Sequence, residues 1–216
     1  HGATWFAHYQ NAGKGQRGKT WKAEPSQNIM MSIVLKKPSF AITNQYVMNM
    51  AVALSCHNFF NAYTGANTTI KWPNDIYWRD RKAGGILIET VQQGNDWKYA
   101  VVGIGININQ TLFPENLPNA VSLKQITGKN FEIISLAKGL CNLINDRWNL
   151  LLENKNKEIL KEYNSVLYKL NSLASFKSGN TKIMAVVKGV NLQGELLLET
   201  EKGVTVPFTS LTWLMP

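Results

Sequence analysis

Cysteine, histidine and acidic residues are all scarce in this 216-residue chain, and each shortage removes a class of function. The two cysteines, Cys56 and Cys141, lie far apart inside apolar, helix-like stretches. They read as small buried hydrophobes in a reducing compartment, not as a disulfide or a metal site. The three histidines, His1, His8 and His57, fall in no ligand spacing, so no structural zinc is expected. Long apolar runs are missing too. None approaches the roughly 18 uninterrupted apolar residues that cross a bilayer, and no short apolar segment with basic flanks opens the chain. A cytoplasmic protein with no membrane partner is therefore expected. The chain begins at His1 rather than Met, so an upstream segment is expected to have been removed or left out.

Asp and Glu number 14 against 23 Lys and Arg, for a net charge of +9. A basic excess favours anionic partners, whether nucleic acid, nucleotide, phosphate or an acidic protein surface. It does not choose among them, and a generally basic solvated surface accounts for it equally well. With 44% hydrophobic and 17% charged residues the composition is that of an ordinary folded protein. The length suffices for one substantial core, with or without a small appendage.

Apolar periodicity orders the chain as follows. Thr4 to Tyr9 is β-like and runs into a glycine-rich stretch, Gly13 to Gly18; Asn28 to Lys36 reads as a buried strand. Asn44 to Tyr63 carries apolar residues at helical spacing and ends at Gly65, as expected of a helix packed on a sheet. Strands are expected at Thr68 to Trp72, Ile76 to Trp78, Gly85 to Gln92 and Lys98 to Asn107, the last two joined by a hairpin loop at Gln93-Gly94-Asn95-Asp96. Residues 110–130 contain Pro114 and Pro118 and little periodicity, and read as a loop. Helices follow at Ile134 to Glu153 and Asn156 to Leu167. After Leu170 the pattern turns to short β-like runs, Lys182 to Lys188, Glu195 to Glu199 and Val204 to Phe208, separated by glycines. The expected architecture is α+β: a main domain over residues 1–170, then a small β-barrel over 171–216.

The run Gly13-Lys14-Gly15-Gln16-Arg17-Gly18-Lys19-Thr20 fits both a dinucleotide fingerprint and a Walker A pattern. Both motifs work by aiming a helix N-terminus at a phosphate. Here Pro25 would break such a helix within about one turn, and no βαβ unit surrounds the run. What remains is a backbone that a ligand can approach closely, beside Lys14, Arg17 and Lys19. A flexible basic surface loop is the alternative.

Three further runs are more specific: Lys71-Trp72-Pro73-Asn74-Asp75, Arg81-Lys82-Ala83-Gly84-Gly85-Ile86-Leu87-Ile88-Glu89, and Gly103-Ile104-Gly105-Ile106-Asn107. With the glycine loop, their order and spacing resemble the biotin protein ligase (biotin–[acetyl-CoA-carboxylase] ligase) family. The tail from Gly189 to Leu198 resembles that family's C-terminal SH3-like barrel, so the resemblance covers nearly the whole chain. It implies a catalytic domain related to class II aminoacyl-tRNA synthetases and lipoate ligases. It implies ATP-dependent activation of biotin as biotinyl-5'-AMP, then transfer to a lysine of a biotin carboxyl carrier protein. No helix-turn-helix is present, so the likeness is to the monofunctional type without a DNA-binding domain, a monomer or homodimer with no DNA partner.

The residues suit that chemistry on their own terms. Biotin presents a carboxylate and ATP a triphosphate, so cations at their junction offset repulsion and stabilise charge developing at the α-phosphate. Lys82, read as a residue of a tight turn before a strand, is the first candidate, with Lys14 and Arg17 beside it. A solvated turn lysine is the alternative for Lys82. By resemblance, biotin contacts fall on Gln10, Gly13, Lys14, Gly15, Gln16, Lys82, Gly84 and Gly85. ATP contacts fall on Lys14, Arg17, Lys19, Trp21, Asn74, Lys82 and Asn107. Asp75 is the candidate for Mg²⁺, whose hard charge suits oxygen ligands, or for deprotonating the incoming lysine; a turn-capping Asn-Asp pair is the alternative. The glycine loop and residues 110–120 are expected to move without ligand and to shield the hydrolysable adenylate from water. The chain departs from the family where arginine is usual at Lys14 and Gln16. It also begins inside the pattern, without the Ser/Thr-Asn biotin contact expected before Trp5. Two rival readings stand beside this one: a lipoate or octanoate ligase or transferase of the same fold, and a nucleic-acid-binding module.

Overall fold

Residues 1–37, 45–93 and 96–214 are described by a computed structural model, the side chains of Arg17, Gln93 and Asp96 excepted. Six strands form one antiparallel sheet: β1 (Thr4–Phe6), β2 (Asn28–Lys36), β3 (Thr68–Lys71), β4 (Asp75–Trp78), β5 (Arg81–Gln93) and β6 (Asp96–Asn107). Their spatial order is β1-β2-β6-β5-β4-β3. The expected strands are all present, and β5 is longer than read. It starts at Arg81, so Lys82 is the second residue of a strand rather than part of the turn before it. Of the expected hairpin loop, Gly94 and Asn95 lie outside the described residues; its flanks, Gln93 and Asp96, pair with each other.

Strand geometry sends alternate side chains to opposite faces. Ile29, Met31, Ile33 and Leu35 of β2 and Ala100, Val102, Ile104 and Ile106 of β6 go to the core. Against that face packs α1 (Gln45–Thr64), a helix buried nearly all round because α3 (Ile133–Leu152) and α4 (Asn156–Ser165) cover its far side. Asn44, the expected start of that helix, lies outside the described residues. The apolar stripe of α3, from Leu136 through Leu140 and Ile144 to Leu151, has the three-to-four spacing that one buried helix face requires.

Residues 110–130 are not the continuous loop expected. Leu123–Thr127 forms α2, started by a capping box in which Ser122 accepts from the Gln125 amide while Gln125 accepts from the Ser122 amide, and ended by Gly128 in the left-handed conformation.

The C-terminal part is a second antiparallel sheet of β7 (Leu173–Ser178), β8 (Thr181–Val190), β9 (Leu196–Glu199), β10 (Thr205–Phe208) and β11 (Thr212–Leu214), in the order β10-β9-β8-β7-β11. Strands β7 and β11 were not anticipated. Among the described residues the pairings leave β10 and β11 as edges and do not close a barrel. This sheet is tied to the first. Trp72 Nε1 donates to the Gly194 carbonyl at 2.9 Å, Trp213 Nε1 donates to the Trp72 carbonyl at 3.1 Å, and the Asn164 carboxamide bonds both backbone groups of Val190. No helix among the described residues is long and apolar enough to cross a membrane.

A lysine-rich cleft on the second face of the sheet

The face of the six-stranded sheet turned away from α1 carries a cleft of about 990 Å³, within the size range of small-molecule sites. Its floor follows from strand register. One row across the sheet runs Lys71, Asp75, Gly85, Gly105 and Met30; the next runs Leu87, Gly103 and Ser32. Three glycines at the centre of these rows keep the floor low. A Cβ on Gly85 would come within 3.2 Å of Asp75 Oδ1 and 3.4 Å of Lys82 Nζ, so this glycine also leaves room for that pair of side chains.

The pair is an ion pair of 2.7 Å between Lys82 Nζ and Asp75 Oδ1, with side chains 37% and 29% exposed. Solvent screening at that exposure limits such a pair to about 1 kcal/mol. Lys82 can therefore leave Asp75 for a stronger anion at small cost. Its backbone, by contrast, is fixed: Lys82 N donates to the Asn119 carbonyl at 2.6 Å and Val121 N donates to the Lys82 carbonyl at 2.9 Å. The end of the segment expected to be mobile, residues 110–120, is thus anchored on Lys82 itself.

The glycine loop is a narrow hairpin, not the mouth of a helix. Gly15 N donates to the Lys19 carbonyl at 2.7 Å and Trp21 N to the Gly13 carbonyl at 2.8 Å, around a single turn at Gln16–Gly18. The rejection of the two phosphate-loop motifs is borne out. The hairpin forms one wall of the cleft and presents Lys14 and Lys19, both exposed. Trp21 closes its base by lying flat on Gly105, where a Cβ would sit 2.5 Å from the indole ring. Its Nε1 is buried without a hydrogen-bond partner. A buried donor left unspent at a cleft wall is the kind of group a ligand completes.

The expected site residues separate on this geometry. Gln10, Gly13, Lys14, Gly15, Gln16, Lys19, Trp21, Lys82 and Gly85 all line the cleft. Gly84 does not. It faces the other way, where a Cβ would meet the Gly105 carbonyl at 2.9 Å, so its need for glycine is close packing between strands rather than ligand contact. Asn74 and Asn107 border the cleft but are buried, and their carboxamides already serve backbone. Asn74 Nδ2 donates to the Ile86 carbonyl, and Asn107 Nδ2 donates to the Val121 carbonyl at 3.1 Å. These bonds orient the two carboxamides at the border of the cleft. The side chain of Arg17 lies outside the described residues. Asp75 faces the cleft with Oδ1 paired to Lys82, and among the described residues no three His, Cys, Asp or Glu side chains converge, so any magnesium here would be held by Asp75 together with phosphate oxygens of the nucleotide.

One residue of the site was not singled out in the sequence. Lys71 is buried beneath the cleft wall, its Nζ donating to Tyr77 Oη at 3.2 Å and lying over the Tyr77 ring at 4.7 Å and the Trp213 ring at 5.5 Å. Burial pushes its pKa down to about 8, with Asp75 opposing that change and Lys82 and Lys19 adding to it. Its position at the head of the Lys71–Asp75 run was visible, but two of the three rings around it, Tyr168 and Trp213, come from far along the chain.

A sheet backed by helices, with a glycine floor, a hairpin wall and several lysines on its other face, defines an α+β protein with a lysine-lined cleft of small-molecule size. Its first half is matched by a known family. Residues 1–107 match the Biotin/lipoate A/B protein ligase family, and the chain belongs to that family. The bifunctional ligase/repressor BirA of Bacillus spizizenii is 27% identical over 198 residues, which are 90% of this chain and 61% of that protein. The biotin–[acetyl-CoA-carboxylase] ligase of Mycobacterium tuberculosis is 25% identical over 203 residues, 92% of this chain and 73% of that protein. The chain thus spans about three fifths of the BirA relatives it matches, 61% and 63% in Bacillus spizizenii and Escherichia coli. Among solved structures, biotin protein ligase from Aquifex aeolicus in complex with biotin and ATP has the same fold, with a TM-score of 0.84 at 24% identity over 99% of this chain and 89% of that one.

Proposed function

We propose that this chain is a biotin–protein ligase. It joins biotin to ATP as biotinyl-5'-AMP with release of pyrophosphate, then passes the biotinyl group to a lysine of a biotin carboxyl carrier protein. The observation that carries this reading is the meeting of Lys14, Lys19 and Lys82 over a floor of Gly85, Gly103 and Gly105. In the first step a carboxylate oxygen attacks the α-phosphorus and pyrophosphate leaves. Negative charge builds on the oxygens of that phosphorus, and Lys82, held loosely by Asp75, is placed to meet it. Lys14 and Lys19 on the hairpin take the outer phosphates, and the Trp21 N–H supplies a donor at the wall. In the second step the carrier amine attacks the acyl carbon, AMP leaves, and Asp75, released by Lys82, accepts the amine's proton. The hairpin keeps water from the mixed anhydride between the two steps. Gln10, Gly13, Gly15 and Gln16 line the biotin side in this reading. Magnesium travels as the nucleotide's own counter-ion, and no step is assigned to it. The division at residue 170 into a catalytic and a C-terminal domain, and a cytoplasmic location where ATP is available, belong to the same proposal.

The test is transfer. Protein incubated with ATP, magnesium and biotin, together with a purified unmodified carrier domain, is expected to add one biotinyl group to one carrier lysine by mass spectrometry. Labelling with lipoate or octanoate but not biotin would move the chain to the other branch of its family.

A further inference from the structure

None of the steps above uses Lys71, yet a buried ammonium is an expensive thing to keep. If packing were its only purpose, an apolar side chain of similar shape would serve as well or better. Its surroundings are specific. Lys71 stands directly opposite Asp75 in the β3–β4 register, and Asp75 in turn is ion-paired with Lys82. The Asp75 carboxylate therefore acts with two ammonium groups: Lys82, bonded to it and exposed enough to leave, and Lys71, enclosed and coupled to it through space. Three aromatic rings enclose Lys71: Tyr77 at 4.7 Å, Trp213 at 5.5 Å and Tyr168 at 5.9 Å. Such faces favour a cation where water has been excluded. Two of the three come from beyond the six-stranded sheet. Tyr168 follows α4, and Trp213, on β11, is fixed by its N–H bond to the Trp72 carbonyl.

When an anionic ligand draws Lys82 away, Asp75 loses its closest counter-charge. Without another cation nearby, that loss would oppose the movement of Lys82. We propose that Lys71 is a positioning residue for the reaction: it holds Asp75 in place and partly neutralised once Lys82 has moved to the ligand, and Trp213 of the C-terminal sheet holds Lys71. The C-terminal sheet is thereby part of the reacting site and not only an appendage. This inference rests on the proposed ligase activity. The groups that act on Lys71 include Asp75 and Tyr77 from β4, Lys82 from β5, Lys19 from the hairpin, Tyr168 after α4 and Trp213 from β11.

The experiment compares the native chain with Lys71→Met and Lys71→Arg, reading biotin-dependent ATP–pyrophosphate exchange from about pH 7 to about pH 9 beside the thermal midpoint. With its pKa near 8, Lys71 is charged below that pH and neutral above it, so native kcat should fall as pH rises through 8. Lys71→Met should lower kcat at pH 7 about tenfold, the effect of one charge contact near a protein surface, with KM for ATP little changed. It should also abolish the fall above pH 8 and leave the midpoint unchanged or raised. Lys71→Arg should recover part of the rate and remove the fall. Native kcat and pH profile in Lys71→Met would overturn the inference alone. So would a loss of rate matched by a lower midpoint with the fall still present. Absence of biotin-dependent exchange in the native chain would overturn the ligase reading and this inference with it.

Discussion

At the scale of single residues, glycine at position 105 shows how the cleft is built by subtraction. Its backbone is ordinary strand, so its φ does not demand glycine; Trp21 does, because the indole lies where a Cβ would go. Gly105→Ala should leave the fold in place while forcing Trp21, and with it the hairpin, off the sheet. Overpacking of this kind costs about 1–3 kcal/mol, and here the loss should fall on ligand binding. Titration calorimetry is expected to show biotin affinity weakened about tenfold or more with a thermal midpoint close to native; unchanged affinity would contradict the placement of Trp21. The glycine loop, Lys82 and the Asp75 run stood out in the sequence through their resemblance to one ligase family, each with a bland alternative beside it, and the fold brings all three to one cleft. The backbone bonds of Asn74 and Asn107 were not legible there, because the carbonyls they serve are set by the fold and not by the local sequence. Lys71 was hidden for another reason: Tyr77, Tyr168 and Trp213 are scattered over more than a hundred residues of sequence.

At the scale of elements, the six strands and three longer helices could be read from the spacing of their apolar residues, most of them with one face buried against the same core and α1 buried nearly all round. What escaped were elements too short to show a period. The five residues of α2 sit behind two prolines, and only the Ser122-Leu123-Lys124-Gln125 pattern marks their start. The half-exposed alternation of β7 and the three residues of β11 carry no more signal than a loop. The small helix matters for the site, because Val121, next to its cap, pairs with Lys82. Ser122 is fully buried, and its hydroxyl accepts from the Gln125 amide at 3.2 Å. Ser122→Ala should destabilise the chain by about 1 kcal/mol, readable as a lower denaturant midpoint with an unaltered slope. No change in midpoint would show that the cap carries no load.

At the scale of the whole molecule, the charge of +9 acquires a location. Part of it is gathered where Lys14, Lys19, Lys71 and Lys82 line one cleft with two carboxylates, Asp75 and Glu89, on a face that also receives Trp213 from the C-terminal sheet. The two sheets meet at the Trp72–Pro73 turn, so the same few residues join the halves of the molecule and border its cleft. An anion of the size of an acyl-adenylate is what such a cleft can hold, and Lys82, in a part-exposed ion pair with Asp75 beside the glycine floor, is the cation placed to meet it. Biotin-dependent exchange of labelled pyrophosphate into ATP tests this most directly. Exchange is expected with biotin and not with lipoate, and Lys82→Ala should reduce it by about 10²–10³, the usual effect of removing one contact to a developing anion. Exchange that ignores biotin, or survives intact in Lys82→Ala, would contradict the account.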